Sequence, residues 1–405
     1  MKILFLSDNF SPETNAPAKR TFEHCKEWVN LGHKITVITS VPNFPIGKVY
    51  KGYKNKLYQT EKISGITVKR VWTFIAENKG FLLRIIDYLS FMFSSMICGL
   101  FTKKNDMIIA TSPQFFTLLS GYFISLFRRT PLIIEIRDMW PESIVAVGAM
   151  NEKSFVIRLL KKIANFIYKK STLIICVTNS FKEELINKGI NKNKIKVVQN
   201  GFDLSKLLTP TISVEEVEKK YSIRKDDLIV SFIGTIGMAH GLNIVLKAAK
   251  NLNDVKFLII GEGAEKKELI KKANEDKIDN VIFIDNISWQ EIVNINQLID
   301  FHLIHLKKDP EFTKVIPSKI FESMALKKPI IMGVDGEAKS IVNEAKCSVN
   351  IRPENDDDLV KAINYLNNNF DKSRKFGING FDFLKKNFSR KILANKMIEY
   401  IKTAI

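Results

Sequence analysis

Short apolar runs bounded by turn residues recur along the chain, and runs of this kind are typical of buried strands in a parallel sheet. They fall at residues 2–6, 34–39, 107–110, 132–136, 173–177, 194–198, 228–233, 256–260, 281–284, 301–305 and 329–332. Helical periodicity fills several of the intervals, at residues 18–31, 154–170, 243–251 and 264–275, and residues 390–405 predict a terminal helix. The alternation predicts an α/β fold with doubly wound parallel sheets.

The strand and helix pattern runs through the chain twice. One series of strands ends near Val198 and another begins near Leu228. The stretch between them contains Asn200-Gly201, Pro210 and a charged helix, so it reads as a turn followed by a polar linker. We therefore expect one domain at residues 1–203, a second at 204–385 and a final helix at 386–405.

Composition and charge narrow the class of protein. The 405 residues are 45% hydrophobic and 26% charged, which excludes a disordered chain. The net charge of +19 attracts polyanions, although drift in composition explains it equally well. No arginine-rich tract, zinc finger or RNA-binding aromatic motif is present, so we expect no nucleic-acid partner. The four cysteines lie far apart, and the N-terminus lacks a signal peptide, which predicts free thiols and a cytoplasmic protein.

Residues 81–101 form an unusually apolar segment, interrupted by Arg84 and Asp87. Its uncharged part, residues 88–101, is shorter than the roughly 20 residues that a spanning helix needs. Two interpretations remain open: a buried core helix, or a helix lying on the surface of a bilayer. In the second case neighbouring basic residues would meet anionic headgroups, and these are Lys79, Arg84, Lys103, Lys104, Lys161, Lys162, Lys169 and Lys170.

Polar residues follow two strands of the first domain, at the strand ends where open α/β sheets place ligands. The first strand is followed by a loop at residues 7–13 and then by the start of a helix that contains Asn15, Ala16 and Arg20. No G-x-G-x-x-G follows this strand, which argues against a dehydrogenase. The helix start could receive an anion or a sugar, or it could be a plain connection.

The strand at residues 132–136 ends in Arg137, Asp138, Trp140, Pro141 and Glu142. A charged pair is costly to bury unless it is satisfied. Arg137 could bind a phosphate through two hydrogen bonds, and Asp138 could accept from a sugar hydroxyl or hold Arg137 in place. The alternative is an internal salt bridge between Arg137 and Asp138.

Two glycine turns follow strands of the second domain. The first carries Gly234, Thr235, Gly237, His240 and Gly241, and it leads into a helix. Glycines allow a ligand to approach the backbone closely, and a helix start offers N–H groups to a pyrophosphate. A second strand-to-helix turn contains Gly261 and Gly263. Neither turn is a Walker A loop, and each is a weak signal by itself.

The strongest local feature is residues 314–325. Ser318 is predicted to cap a helix whose first turn contains Lys319, and Glu322 lies one turn further along the same face. A lysine neutralises phosphate charge and a glutamate can accept both hydroxyls of a ribose, so Lys314, Lys319 and Glu322 would hold a sugar nucleotide, with Pro317 and Ser318 at the turn. The alternative is a surface pair that caps a helix.

At this point the chain resembles the GT-B glycosyltransferases of the large retaining family 4, and within it the bacterial branch that includes N-acetyl-L-fucosamine transferases of O-antigen and capsule synthesis. The resemblance covers nearly the whole chain. It rests on residues 7–20, 32–39, 137–142, 200–203, 234–242, 261–263 and 317–325. It implies two Rossmann-like domains facing a cleft, with acceptor bound by the first, nucleotide sugar by the second, and a last helix that crosses back to the first.

The chain departs from the family pattern at three places. Many members carry two glutamates eight positions apart, whereas here Glu322 matches the second and Lys314 replaces the first. The glycine-loop Arg and Lys of many members correspond to Thr235 and His240, and a His after a first-domain strand corresponds to Arg137. We infer that positive charge has moved from the glycine loop to Lys314 and Lys319, with Arg137 as a candidate for a further contribution.

The mechanism expected from these residues and from the resemblance is metal-independent retaining transfer of a sugar from UDP to a polyprenyl-diphosphate-linked glycan, with an N-acetylated deoxyhexosamine as one candidate for the sugar. No Asp-x-Asp motif fits the site, and residues 356–358 read as a helix start. Catalytic roles fall to Arg137, Asp138, Lys319 and Glu322; the acceptor would meet Asn15, Ala16, Arg20 and Glu142; and uracil would meet Ile284 and Ile287. A sugar-nucleotide epimerase and a basic non-catalytic binding protein are the alternatives.

Overall fold

The computed structural model describes residues 1–44, 47–75, 81–146 and 150–405. Contacts divide the chain into two units, Met1–Asn200 together with Arg390–Ile405, and Gly201–Ser389. The sequence placed these boundaries after residues 203 and 385. Lys79, one of the basic residues expected near a bilayer, lies outside the described residues. The predicted α/β architecture with two parallel-sheet domains is confirmed.

The first unit is built on an eight-stranded sheet with the order β3-β4-β2-β1-β5-β6-β7-β8. All neighbouring strands are parallel except β3 and β4, which form an antiparallel hairpin. The strands are β1 (Lys2–Leu6), β2 (Lys34–Thr39), β3 (Tyr58–Ile63), β4 (Ile66–Val71), β5 (Met107–Thr111), β6 (Leu132–Ile136), β7 (Leu173–Cys176) and β8 (Ile195–Val197).

Seven helices of the first unit are described: α1 (Ala16–Asn30), α2 (Phe81–Leu100), α3 (Phe116–Arg128), α4 (Glu142–Ala146), α5 (Phe155–Lys170), α6 (Asn179–Asn187) and α15 (Arg390–Lys402). Asn15 caps α1 by accepting a hydrogen bond from the Ala18 backbone N–H. The terminal helix α15 packs on α1, where the Trp28 indole donates to the Ala394 carbonyl at 2.9 Å. Its apolar face joins the core formed by β1, β2 and α1.

The second unit holds a six-stranded, wholly parallel sheet with the order β11-β10-β9-β12-β13-β14. Its strands are β9 (Leu228–Ile233), β10 (Val255–Ile260), β11 (Val281–Ile284), β12 (Phe301–His305), β13 (Ile330–Gly333) and β14 (Ser348–Asn350). Numbered within the unit this order is 3-2-1-4-5-6, the order of a dinucleotide-binding fold. The point where the strand order reverses lies between β9 and β12, so a ligand is expected at their carboxyl ends.

Helices cover both faces of this second sheet. They are α7 (Val214–Tyr221), α8 (Asn243–Ala249), α9 (Lys266–Glu275), α10 (Trp289–Ile295), α11 (Lys319–Ala325), α12 (Glu337–Glu344), α13 (Asp356–Asn368) and α14 (Phe370–Asn387). Each face has its own buried cluster, one beneath α8 and α13 and another beneath α11, α12 and α14. The short helix α11 is embedded through Ile320, Phe321 and Met324, so its first turn is rigidly placed.

The helix α2 is an apolar surface helix of the first unit. It packs against α3, β2 and β4, and the Ser95 hydroxyl lies 2.8 Å from that of Ser120. Among the described helices it is the one long and apolar enough to cross a membrane by length and composition, yet 22% of the stretch Leu83–Leu100 is buried. The interpretation as a core helix holds for one face of α2 only: Phe91 and Ser95 are buried, whereas Phe93 and Ile97 are more than half exposed.

Candidate functional site

A small cavity lies in the second unit beneath α10 and α11, beside β9 and β12, the two strands between which the strand order reverses. Two of the predicted residues, Lys319 and Glu322, both line it. The other lining residues are Ile233, Trp289, Ile292, His302, Leu303, Ile304, Ser323 and Leu326. The structure thus brings together the cation and the carboxylate that the sequence placed one turn apart.

The ammonium group of Lys319 is buried without a hydrogen-bond partner among the described residues. It lies over the Phe232 ring, 3.6 Å from its centroid, in a cation–π contact. Burial lowers its pKa from 10.5 to about 7, and the Glu322 carboxylate offsets only part of this effect. A strongly perturbed pKa in a group that lines a cavity is typical of functional sites.

The first glycine turn surrounds this lysine. Gly234 has φ of +128°, and a Cβ at this position would lie 2.6 Å from Lys319 Cε, so glycine makes room for the lysine. His240 packs edge-on against Phe232, with ring centroids 5.4 Å apart. Burial and the nearby charge of Lys319 lower the pKa of His240 to about 4, so this imidazole is neutral at pH 7.

The second glycine turn serves packing between the two turns. A Cβ on Gly261 would lie 2.0 Å from the Gly234 carbonyl oxygen, and one on Gly263 would lie 2.1 Å from that of Ile236. We expected Gly261 and Gly263 to bind the nucleotide sugar, but their lack of side chains is explained by this close backbone approach. Gly261 and Gly263 therefore let the second turn pack directly against the backbone of the first turn.

Three other predicted residues, Lys314, Pro317 and Ser318, lie in or just before the first turn of α11 and differ in exposure and hydrogen bonding. Lys314 is partly exposed and donates to Glu311 at 2.7 Å. Ser318 is exposed and begins α11 without a side-chain cap, so the predicted capping bond is wrong; its carbonyl accepts from the Phe321 N–H instead. Pro317 precedes it and is half-buried.

Residues of the turn itself differ in exposure. Thr235 is exposed and Gly237 would tolerate a Cβ, whose nearest atom would be 3.7 Å away. Gly241 has φ of +56°, which favours glycine. Ile284 and Ile287 are half-buried and pack against the cluster beneath α7 and α10. The structure therefore gives these two isoleucines a packing role.

Two histidines beside the site were not predicted. His305 ends β12, accepts from the Glu354 N–H through Nε2 and donates to the His240 carbonyl through Nδ1 at 2.6 Å, so it holds the glycine turn in place. His302 lines the cavity and bonds Ser323, and burial lowers its pKa to about 3. A histidine at each end of the apolar run at residues 301–305 was the available signal.

In the first unit Arg137 and Asp138 follow β6, as predicted. The Ser112 hydroxyl accepts from both of their backbone N–H groups, which joins the turns after β5 and β6. The Asp138 carboxylate accepts from Ser143 and from the Met139 N–H. The two charged side chains form no salt bridge with each other, so the predicted alternative of an internal ion pair is wrong for these residues.

Arg20 is not available to an acceptor, contrary to our expectation. Its side chain is 1% exposed, and its guanidinium donates to Glu135 at 2.7 Å and to the carbonyls of Val198 and Gln199. It therefore ties α1 to β6 and to the end of β8. Of the other predicted acceptor residues, Asn15 caps α1, Ala16 is exposed and Glu142 pairs with Lys188.

A set of carboxylates near the carboxyl end of β1 was also missed. Burial, with the negative charges of Asp87 and Glu13, raises the pKa of Asp8 well above its usual value. The pKa of Asp87 itself is raised to about 6 by burial. An aspartate within the apolar run of α2 was the signal in the sequence. Among the described residues no group of three or more metal-ligating side chains is arranged to hold an ion.

Two protein-family models match this chain. A model described as Glycosyltransferase Family 4 matches residues 18–206, and a model described as Glycosyl transferases group 1 matches residues 213–383. The two matches correspond to the two structural units. Residues 356–358, the acidic triplet, begin α13, as the sequence indicated.

Curated relatives and solved structures show the same likeness. The putative colanic acid biosynthesis glycosyl transferase WcaI of Escherichia coli is 24% identical over 80% of this chain and 81% of its own. The probable glycosyltransferase WbjE of Pseudomonas aeruginosa is 22% identical over 69% and 70% of the two chains. Anabaena HepE, solved with UDP and glucose, superposes with a TM-score of 0.72 at 18% identity, covering 99% of both chains.

Proposed function

Because the chain belongs to the GT-B glycosyltransferases that join a family 4 domain to a group 1 domain, we propose that it transfers a sugar from a UDP-sugar to a lipid-linked glycan in bacterial surface polysaccharide biosynthesis. Relatives named for colanic acid, teichuronic acid and O-antigen synthesis support the pathway class. The structure of HepE with UDP-glucose supports a nucleotide-sugar donor. The acceptor that we propose is linked to a polyprenyl diphosphate.

One observation carries the proposal: a buried lysine without a partner and a glutamate line the same cavity at the switch point of a dinucleotide-binding sheet. Lys319, with Lys314 and the amides of the turn from Gly234 to Gly241, would stabilise the departing diphosphate. Glu322 would accept from hydroxyls of the ribose or of the sugar near the phosphate. Stabilisation of the leaving group is then the main catalytic effect.

The finer features of the reaction rest on the resemblance. We propose retention of anomeric configuration, no metal cofactor, and an N-acetylated deoxyhexosamine as the donor sugar. Support for the sugar comes from the Pro317-Ser318-Lys319 turn and the Trp140-Pro141-Glu142 sequence of the resembling branch. Uracil would lie near the end of β11, and Arg137, Asp138 and Glu142 would face the acceptor or the reacting sugar.

The test is UDP release from a panel of UDP-sugars by the purified protein, with and without lipid-linked acceptor and with EDTA present. We expect acceptor-dependent release with one donor class, EDTA-resistant, and lowered roughly 10²-fold or more by Lys319→Ala, as for loss of other groups that stabilise developing charge. Lys339→Ala is the matched control, since Lys339 is a surface residue of the same unit paired with Asp335. No release with any donor and acceptor would refute the proposal.

The two rival functions receive no support from the comparisons. An epimerase needs acid and base groups at the reacting carbon, whereas His302, the histidine that lines the cavity, is buried and hydrogen-bonded to Ser323. Product analysis without acceptor distinguishes it, because an epimerase converts the nucleotide sugar by itself. A non-catalytic basic protein would release no UDP.

We further propose that the enzyme works in the cytoplasm at the inner face of the plasma membrane. The helix α3 contacts both α2 and α5, and the Tyr122 and Phe166 rings lie 5.3 Å apart. Together the three helices form what we term the apolar surface, which exposes Leu83, Ile86, Phe93, Ile97, Phe101, Leu126, Phe127, Phe155, Val156, Leu159 and Phe166. Exposed basic residues on the same helices and their flanks suit anionic headgroups: Lys103, Lys104, Arg129, Arg158, Lys162, Lys169 and Lys170.

Co-sedimentation with liposomes tests this attachment. We expect binding to phosphatidylglycerol vesicles, weaker binding to phosphatidylcholine vesicles, and loss of binding in Phe93→Glu. Phe370→Glu is the matched control, because both phenylalanines are 52% exposed and Phe370 lies in the second unit. Equal binding by the two variants would remove the apolar surface from the interaction.

A further inference from the structure

Three arginines and two glutamates lie close together inside the first unit. Arg20 pairs with Glu135, and Arg390 pairs with Glu23, each at 2.7 Å with side chains less than a tenth exposed. Both oxygens of Glu135 are committed, since its Oε2 accepts from the Thr111 hydroxyl at 2.7 Å. The buried positive charge of this cluster therefore exceeds its negative charge.

Arg137 is the member without compensation. Its Nε and Nη1 are buried and have no hydrogen-bond partner in the part of the chain that the structure describes. The adjacent Asp138 is occupied by Ser143 and by a backbone N–H. Burial lowers the pKa of Arg137 from 12.5 to about 9, and the charges of Arg20 and Arg390 act in the same direction, against the attraction of Glu135.

An unpaired buried charge of this kind is strongly unfavourable, so a native protein retains it for a reason outside its own packing. The position of Arg137 indicates the reason. It follows β6 at the carboxyl edge of the sheet, where open α/β folds bind ligands, and the Ser112 hydroxyl fixes its backbone. The residue as a whole is half-buried at this edge, although its Nε and Nη1 are covered.

We propose that Arg137 is the centre of an oxyanion-binding site in the first unit, which takes a phosphate or carboxylate group of the substrate bound there. A planar guanidinium matches either group through paired hydrogen bonds. The negative charge of the ligand neutralises the positive charge of the cluster that Glu23 and Glu135 do not neutralise. The inference rests on the proposed function for the statement that this substrate is the glycan acceptor; the anion site itself is independent of it.

Two sources of the oxyanion are distinguished by the choice of probe. A diphosphate-linked acceptor supplies phosphate, whereas an acidic sugar supplies a carboxylate. The experiment is calorimetric titration of the full chain with inorganic pyrophosphate and, separately, with methyl glucuronide. Lys319→Met serves as the background, because it removes the buried cation of the second unit.

We expect saturable binding of one of the two probes, weakened about tenfold or more by Arg137→Met and less by Arg137→Lys, which keeps the charge but loses the paired geometry. The control is Arg158→Met, since Arg158 is an exposed arginine of the same unit. Equal affinity in Arg137→Met and the background protein, or no binding of either probe, would overturn the site. Circular dichroism checks that the variants fold, and the direct titration of the unsubstituted chain does not depend on them.

The titration also separates this inference from the proposed function. Anion binding at Arg137 without UDP release from any donor would contradict glycosyl transfer and leave the site standing. Acceptor-dependent UDP release together with undiminished anion binding in Arg137→Met would support glycosyl transfer and refute the anion site at Arg137.

Discussion

Replacement of Lys319 by methionine should stabilise the free protein while abolishing its binding of donor. Methionine has a similar length and no charge, so it can occupy the same space over the Phe232 ring. The lysine ammonium in that space is buried, lacks a partner among the described residues, and has its pKa lowered from 10.5 to about 7. Removing it removes an unfavourable buried charge.

The size of the effect follows from the lowered pKa. The fall from 10.5 to about 7 is about 3.5 pH units, and each unit corresponds to ~1.4 kcal/mol, which gives an upper limit of about 5 kcal/mol for the charged lysine. Relaxation and water entry reduce such values, so we expect a gain of roughly 1–3 kcal/mol in the free energy of unfolding near pH 7. Lys339→Met, a change at the surface of the same unit, should alter it by about 0.5 kcal/mol or less.

The sign of the pH dependence provides a second check. Between pH 7 and 10.5 the unfolded chain binds a proton at this lysine and the folded chain does not, so the folded protein gains stability as pH rises through that window. The advantage of Lys319→Met should therefore be largest at pH 7 and below and vanish toward pH 10. Urea denaturation at pH 6.5, 8 and 9.5 measures this trend. A variant that is less stable than the parent at pH 6.5 would refute the reasoning.

Donor binding should show the reverse trend in the parent protein. A diphosphate favours the protonated lysine, so UDP should bind more tightly below pH 7 than at pH 8.5, whereas UDP should not stabilise Lys319→Met at either pH. Thermal-shift titration with UDP measures the affinity through the stabilisation that a ligand of the folded state provides. A variant that is more stable but no longer binds its ligand is expected where a binding site contains a destabilising group that function requires.

Further predictions concern the same site and the first unit. Glu322→Gln should leave folding intact and lower UDP release about tenfold or more in the donor panel, because a carboxylate acceptor becomes a weaker amide. Gly261→Ala should abolish UDP binding in the thermal-shift assay, since its Cβ would lie 2.0 Å from the Gly234 oxygen, whereas Gly237→Ala, whose nearest atom is 3.7 Å away, should bind normally. Arg20→Met should lower the free energy of unfolding by about 3–5 kcal/mol in urea, because it leaves Glu135 buried without its partner; a smaller loss than 1 kcal/mol would contradict the buried network.

Much of the fold could be predicted from apolar runs because the central strands of both sheets are buried on both faces. The runs at residues 2–6, 34–39 and 228–233 coincide with β1, β2 and β9. The hairpin of β3 and β4 was missed, since β3 lies at the sheet edge with alternating exposure and reads as a polar stretch, Tyr58–Ile63. Its turn, Ser64-Gly65, has positive φ at both residues, and that was the overlooked signal.

The candidate site was predicted where side-chain spacing along one element determines the geometry. Lys319 and Glu322 sit on one short helix, so their meeting in one cavity follows from helical periodicity. Arg20 was wrongly assigned to the acceptor, and the packing of Gly261 was not predicted, because the surroundings of both residues come from distant parts of the chain. The Arg20 guanidinium donates hydrogen bonds to Glu135 and to the Val198 carbonyl, and the Gly234 backbone lies against Gly261.

Among the described residues, each unit has a basic side chain near the carboxyl edge of its sheet with buried nitrogen atoms that form no hydrogen bond, Arg137 in the first and Lys319 in the second. In both cases the nearest carboxylates fail to balance it: Glu135 is bound to Arg20, and Glu322 offsets only part of the desolvation. Packing alone would favour neutral residues at these positions. An enzyme that binds anionic substrates and expels a diphosphate needs positive charge already in place, because a preorganised cation requires no rearrangement when negative charge develops. The imbalance in each unit is therefore better explained by chemistry than by folding.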